Sequence, residues 1–249
     1  MKITKQLFTW VNMKIYIGRN LKNENIYWET INKNFLYIAS LSGGGKSYLA
    51  NQIINQFIGE NFKVYIISDK ARVDYKQDVI KISPLEEVDK LKDFVNEILE
   101  LTRKLKTTVE NSKFTHIQDT NKGEKIVIVL DELWSAEKLP KELKKEFNDL
   151  IEIVIRQGRY LNLILLGISQ TFKTTETSIP IKQAAVIIMG KTDTREASLS
   201  VMDSDLGYSA PLRAGQFLYW QRGTKPFIVT IKPEKKSIFR IIWNHLKAK

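Results

Sequence analysis

The sequence predicts an α/β fold: a mostly parallel central sheet flanked by helices, with a short N-terminal strand segment and a C-terminal hairpin. Three observations lead there. Short apolar runs alternate with helical stretches along the chain. Most of these runs are apolar at successive positions, the pattern of strands covered on both faces. One run opens into a glycine-rich loop that leads directly into a helical period.

The elements follow in order. Lys14 to Gly18 (KIYIG) and Ile26 to Trp28 (IYW) read as two short strands around the polar turn Arg19 to Asn25. Phe35 to Ala39 is an apolar strand. It runs into SLSGGGKS (residues 40–47) and then a helix through Tyr48 to Ile58, beginning near Lys46. Strands recur at Lys63 to Ser68 and Val79 to Ile82. Pro84 with Glu86 and Glu87 opens a long helical stretch to about Val109. Residues 110–124 are polar and read as a loop. Lys125 to Leu130 (KIVIVL) is a buried-type strand that ends in Asp131-Glu132, and a helix covers roughly 140–157. Leu161 to Ile168 is the next strand, ending at Ser169-Gln170, and Ala185 to Met189 is another. Arg195 to Met202 reads as a short helix. Phe217 to Trp220 and Phe227 to Ile231 form a closing hairpin. Right-handed crossovers then gather the loops at the C-terminal strand ends on one edge, where chemistry is expected.

Composition narrows the function classes. The 249 residues carry 39 Lys plus Arg against 28 Asp plus Glu, a net charge of +11. That surplus suits a polyanionic partner such as nucleic acid, and equally suits solvated surface lysines. There is no cysteine, which excludes disulfides and cysteine-ligated zinc. The only histidines are His116 and His245, too few for a histidine metal site. No apolar run approaches the ~20 residues of a membrane helix, and the first residues lack a signal-peptide pattern. The expectation is a soluble, intracellular protein.

Residues 40–47 fit the phosphate-loop pattern G-x-x-x-x-G-K-[ST], with Ser40 where glycine is usual. Gly43, Gly44 and Gly45 let the backbone curl so that its N–H groups face phosphate oxygens. Ser42 to Tyr48 therefore form the expected nucleotide-binding set. The helix start contributes its positive end. Lys46 brings an ammonium to the β- and γ-phosphates of ATP, and the Ser47 hydroxyl faces Mg²⁺. KIVIVLDE supplies the second motif: Asp131 is the partner of Ser47 at the metal, and Glu132 orients and activates the attacking water. The adjacent glutamate favours ATP hydrolysis over a nucleotide-kinase reading.

The segment IRQGRYLNLILLGISQ resembles the FtsK/HerA superfamily of DNA-pumping ATPases, in which an arginine precedes an apolar strand ending in glutamine. Arg159 stands eleven residues before Gln170, the spacing of that family. IYIGRN…IYWETINKNFLYIASLSGGGKS and KTDTREASLSVMDSD…LRAGQFLYWQRG resemble its lead-in and its last stretch. The resemblance covers residues 14 to 232 and implies a RecA-like P-loop NTPase. Residues 1–33 are then a β segment packed on the motor, 34–232 the motor domain, and 233–249 a helical tail.

It implies further that Arg159 is an arginine finger reaching a neighbouring subunit's γ-phosphate, with Arg156 as rival. Gln170 senses the γ-phosphate, and Arg195 is a further sensor or interface residue. Family members are rings, usually hexamers, around double-stranded DNA; pore candidates are Lys70, Arg72, Lys76 and Lys173 to Thr177. A motor without added modules most resembles viral genome-packaging ATPases. The expected partners are then DNA, further copies of the chain, and a capsid or portal-vertex protein, in the host cytoplasm or virion-associated. A conjugative transfer motor and a non-translocating assembly switch are the alternatives.

Overall fold

The computed structural model describes residues 13–68, 70, 79–111, 124–132, 138–170, 181–194, 197 and 212–231. The strands are β1 (Lys14–Asn20), β2 (Asn25–Glu29), β3 (Phe35–Ala39), β4 (Lys63–Ser68), β5 (Ile80–Ile82), β6 (Ile126–Asp131), β7 (Leu163–Ser169), β8 (Val186–Met189), β9 (Gln216–Gln221) and β10 (Phe227–Thr230). The helices are α1 (Lys46–Gly59), α2 (Val88–Glu110) and α3 (Lys141–Leu161). All ten strands form one sheet in the order β2-β1-β10-β9-β8-β3-β7-β6-β4-β5. From β8 to β5 every pairing is parallel; from β8 back to β2 every pairing is antiparallel. The N-terminal strands are thus continuous with the parallel core through β1 and β10, where Arg19 stands across from Thr230.

Each core strand divides its side chains between two faces, as a period of two requires. Phe35, Tyr37 and Ala39 of β3 join Ile126, Ile128 and Leu130 of β6 under α2 and α3. Leu36 and Ile38 join Val127 and Val129 on the other face, under α1. There Trp28 meets Phe57 edge to face, with ring centroids 5.8 Å apart. The runs are unbroken in apolar character because neither face meets water.

Some boundaries differ from the sequence expectation. The helix expected to stop near residue 157 continues to Leu161, so the next strand begins at Leu163 rather than Leu161. Gly158 resembles a helix stop, yet it is buried where a Cβ would stand 2.5 Å from Asn34 Nδ2 and overlap the Leu163 carbonyl. It is there for close approach. Asn162, in the left-handed region at φ 59°, ends the helix and donates its N–H to the Gly158 carbonyl. The start of the long helix also shifts, from Pro84 to Val88. The expected helix at 195–202 lies outside the described residues except for Ala197, and so does the tail at 233–249.

Candidate nucleotide-hydrolysis site

The phosphate loop leaves β3 at the C-terminal edge of the parallel strands. Gly43 and Gly45 adopt φ of 77° and 95°, backbone that L side chains rarely tolerate. Gly45 caps α1 without a side-chain bond, and the first turn of α1 holds no acidic residue to offset its positive end. Lys46 is buried, while Ser42, Ser47 and Tyr48 are exposed. Neighbouring backbone clamps the loop. Ser40 donates to the Ser169 carbonyl at 3.2 Å and Leu41 to the Lys191 carbonyl at 3.1 Å. Gly215 donates to the Gly44 carbonyl at 3.1 Å, and the Gly215 carbonyl in turn accepts from Ile231 at 2.9 Å.

Ser40, the irregular residue of the loop, is fully buried. A Cβ on Gly190, just past β8, would stand 2.7 Å from Ser40 Cβ. A Cβ on Gly44 would overlap the Ser40 hydroxyl. The serine side chain therefore occupies room that these two glycines leave, and the loop keeps its curl without glycine at its first position.

Two strands over, β6 ends at Asp131, followed by Glu132; both are buried. Glu132 sits at φ 56°, unusual for a non-glycine residue, and donates its N–H to the Ile168 carbonyl at 2.9 Å. That turn aims its carboxylate at the loop. Lys46 Nζ donates to Glu132 Oε1, and the Gln170 amide donates to Glu132 Oε2 at 3.1 Å. Burial alone would push the Glu132 carboxyl up. The Lys46 bond and charge, the Gln170 amide and Lys70 outweigh it and hold the group below the usual carboxylate range. Lys46 is drawn below the usual lysine range by burial, an effect that Glu132 only partly offsets.

Lys70, an expected pore residue, instead faces this site. Its Nζ is 2.9 Å from Asp131 Oδ1 and 3.7 Å from Glu132 Oε1. The available signal was its place two residues past β4, since loops after parallel strands share one edge. Behind the carboxylates, Tyr37 is hydrogen-bonded to Ser169, and burial raises its phenol far above the ordinary range. Ser47 and Asp131 offer a hydroxyl and a carboxylate on this edge, hard oxygen donors of the kind magnesium takes alongside phosphate and water. Among the described residues no cluster of three or more His, Cys, Asp or Glu could hold a metal alone.

Arg159 and Arg156 are not part of this constellation. Arg159 lies in the last turn of α3, before β7 begins, whereas Gln170 follows its end. The seven residues of β7 separate the two edges by roughly 20 Å at ~3.3 Å per residue. Arg159 is exposed, stacks over the Tyr160 ring at 4.7 Å and donates to its hydroxyl. Arg156 pairs with Glu152 one turn earlier. Arg72, Lys76, Lys173 to Thr177 and Arg195 lie outside the described residues. No helix among the described residues is long and apolar enough to cross a membrane.

No protein-family model matches the chain, and no curated protein does either. Solved structures do. The ATPγS-bound monomer of TcpA, the conjugation coupling protein of pCW3, is 19% identical over 88% of this chain and 65% of its own, with a TM-score of 0.74. The cytoplasmic domain of EccC, the type VII secretion ATPase of Thermomonospora curvata, is 18% identical over 94% of this chain and 31% of its own, with a TM-score of 0.71. The genome-packaging NTPase B204 of Sulfolobus turreted icosahedral virus 2, in complex with AMPPCP, is 16% identical over 81% of this chain and 99% of its own, with a TM-score of 0.54. The chain spans less than two thirds of the TcpA and EccC chains. At under 20% identity these likenesses show the fold alone, the α/β fold of P-loop NTPases.

Proposed function

We propose that the chain hydrolyses ATP and uses the energy to move double-stranded DNA, as the packaging motor of a viral genome. One observation carries the hydrolytic reading. A buried, ionised glutamate is held between the phosphate-loop lysine and the backbone of Gln170, the residue just past the neighbouring strand. A carboxylate fixed in that way can orient a water and take its proton.

In this reading the loop N–H groups and the start of α1 hold the phosphates, and Lys46 turns from Glu132 toward them. Ser47 and Asp131 would hold Mg²⁺, which supplies charge neutralisation between the phosphates. Gln170, whose amide already touches Glu132, reports the γ-phosphate to the following segment. Arg159 lies too far from the loop of its own chain to act there, which supports a role in trans within a ring. The +11 charge supports a nucleic-acid partner, and the likeness to B204 supports packaging. The TcpA likeness supports conjugative transfer as the second reading.

ATP hydrolysis with and without duplex DNA tests the proposal. DNA should stimulate hydrolysis, and Lys46→Ala and Glu132→Gln should abolish it. Hydrolysis indifferent to DNA would refute the motor.

A further inference from the structure

Lys70 is the feature of the site that neither motif contains. Its position is set by the sheet. Ser68, the last residue of β4, pairs in register with Asp131 of β6. The Lys70 N–H donates to Ser68 Oγ at 3.2 Å, which fixes the backbone two residues beyond the strand. From there the side chain reaches Asp131 Oδ1 at 2.9 Å and comes within 3.7 Å of Glu132 Oε1. The same Oε1 accepts from Lys46. Among the described residues, two carboxylates and two ammonium groups thus meet in one cluster.

The two lysines differ in their freedom. The Lys46 side chain is 6% exposed and that of Lys70 31%. Lys70 has a route to solvent along its flexible stem. A divalent cation at Asp131 would meet the Lys70 ammonium on the same carboxylate as a like charge. Lys46 cannot serve phosphates and Glu132 equally, and among the described residues the second cation near Glu132 Oε1 is Lys70.

We propose that Lys70 is a positioning residue of the hydrolytic site: the exchangeable counter-ion that competes with magnesium for Asp131 and takes over Glu132 Oε1 when Lys46 engages phosphate. The proposal rests on the ATPase reading and adds a residue to it. Lys70 acts through the two carboxylates and not on the reacting atoms.

The test compares the wild-type chain with Lys70→Met and Lys70→Arg. Binding of ATPγS is followed as Mg²⁺ is titrated, and kcat and KM for ATP are measured alongside. In Lys70→Met the Mg²⁺ concentration for half-maximal binding should fall about tenfold, the equivalent of one charge competition of about a pKa unit. Its kcat should fall about tenfold or more with KM little changed, because Glu132 loses its second cation. Lys70→Arg should bring both back toward the wild type.

Half-saturation by Mg²⁺ equal to the wild type in Lys70→Met overturns the inference. If Lys70→Met and Lys70→Gln both fail to fold while Lys70→Arg folds, Lys70 is a fixed structural partner, and the inference is likewise overturned. Wild-type protein that binds no ATPγS at any Mg²⁺ concentration refutes the ATPase reading itself, a separate outcome.

Discussion

Lys46 and Glu132, 86 positions apart, close a buried ion pair that joins the phosphate loop to the end of β6. Each partner leaves the other exposed to a cost when removed. Lys46→Ala strands a buried carboxylate and should destabilise the fold by about 3 kcal/mol, the low end of the range for broken buried pairs because Lys70 is near. Adding Glu132→Gln should return most of that loss. Urea unfolding of the two single variants and the double variant measures the coupling, and additive losses would refute it.

Glu132→Gln alone should keep ATP binding and lose about 10²–10⁴ in kcat, the usual contribution of a positioned general base. Equilibrium binding of ATPγS beside steady-state hydrolysis separates the two effects.

The Ser40–Gly190 contact predicts a pair of compensating substitutions. Gly190→Ala places a methyl 2.7 Å from Ser40 Cβ and should cost about 1–3 kcal/mol by overpacking. Ser40→Gly should be tolerated on its own and should relieve most of that cost in the double variant. Thermal melting of the four proteins checks it; no relief would mean that Gly190 is crowded by Phe217 instead.

Gly158 and Asn34 predict a structural weak point far from the chemistry. Asn34 Nδ2 donates to the Val154 carbonyl at 2.6 Å, tying β3 to α3. A methyl at Gly158 would strike that amide and the Leu163 carbonyl, and backbone cannot give way as a side-chain tip does. Gly158→Ala should therefore destabilise by about 1–3 kcal/mol despite its better helix propensity. Higher stability in chemical denaturation would contradict the packing.

For Arg159 the expected result comes from mixtures. Arg159→Ala and Glu132→Gln subunits, each inactive alone, should partly restore ATP hydrolysis when combined, because an intact glutamate can then face an intact arginine. An arginine supplied in trans is worth about 10³–10⁵ in related systems. No recovery at any ratio sinks the role.

The Lys63–Glu97 pair should make a small pH-dependent contribution. Burial opposes the charge on Lys63, but Glu97 and Tyr65 raise its pKa, and the Lys63 hydrogen bond lowers that of Glu97. The lowered carboxyl adds stability that is present above its unfolded pKa and is lost as pH falls through the folded value. Both side chains are largely exposed, so Glu97→Gln should cost no more than about 1 kcal/mol near neutral pH, and less in acid. Urea midpoints across acidic pH measure the difference.

Much of this was legible in the sequence, because double-sided burial writes unbroken apolar runs. KIVIVL and NLILLGI mark their strands, and the glycines and lysine of the loop mark a site whose chemistry is local. What escaped depends on contacts between distant residues. Gly158 reads as a helix stop until Asn34 is placed beneath it. Ser40 reads as a flaw until Gly190 is set beside it. Lys70 reads as a pore lysine, because only the register of β4 against β6 brings it to Asp131. Arg159 stands out through the family resemblance, by its spacing to Gln170, but the strand between them puts it at the opposite edge of the sheet from Gln170.

The pairing of β1 with β10 bears on how the chain is made. Residue 19 finds its partner only at residue 230, so β1 and β2, which can pair with each other early, cannot join the rest of the sheet until β10 has been made. The parallel strands β3 to β8 are complete earlier, but β8 then presents an unpaired edge until β9 arrives. Such long-range closure is slow, and the waiting edge is the point at which nascent chains would associate wrongly.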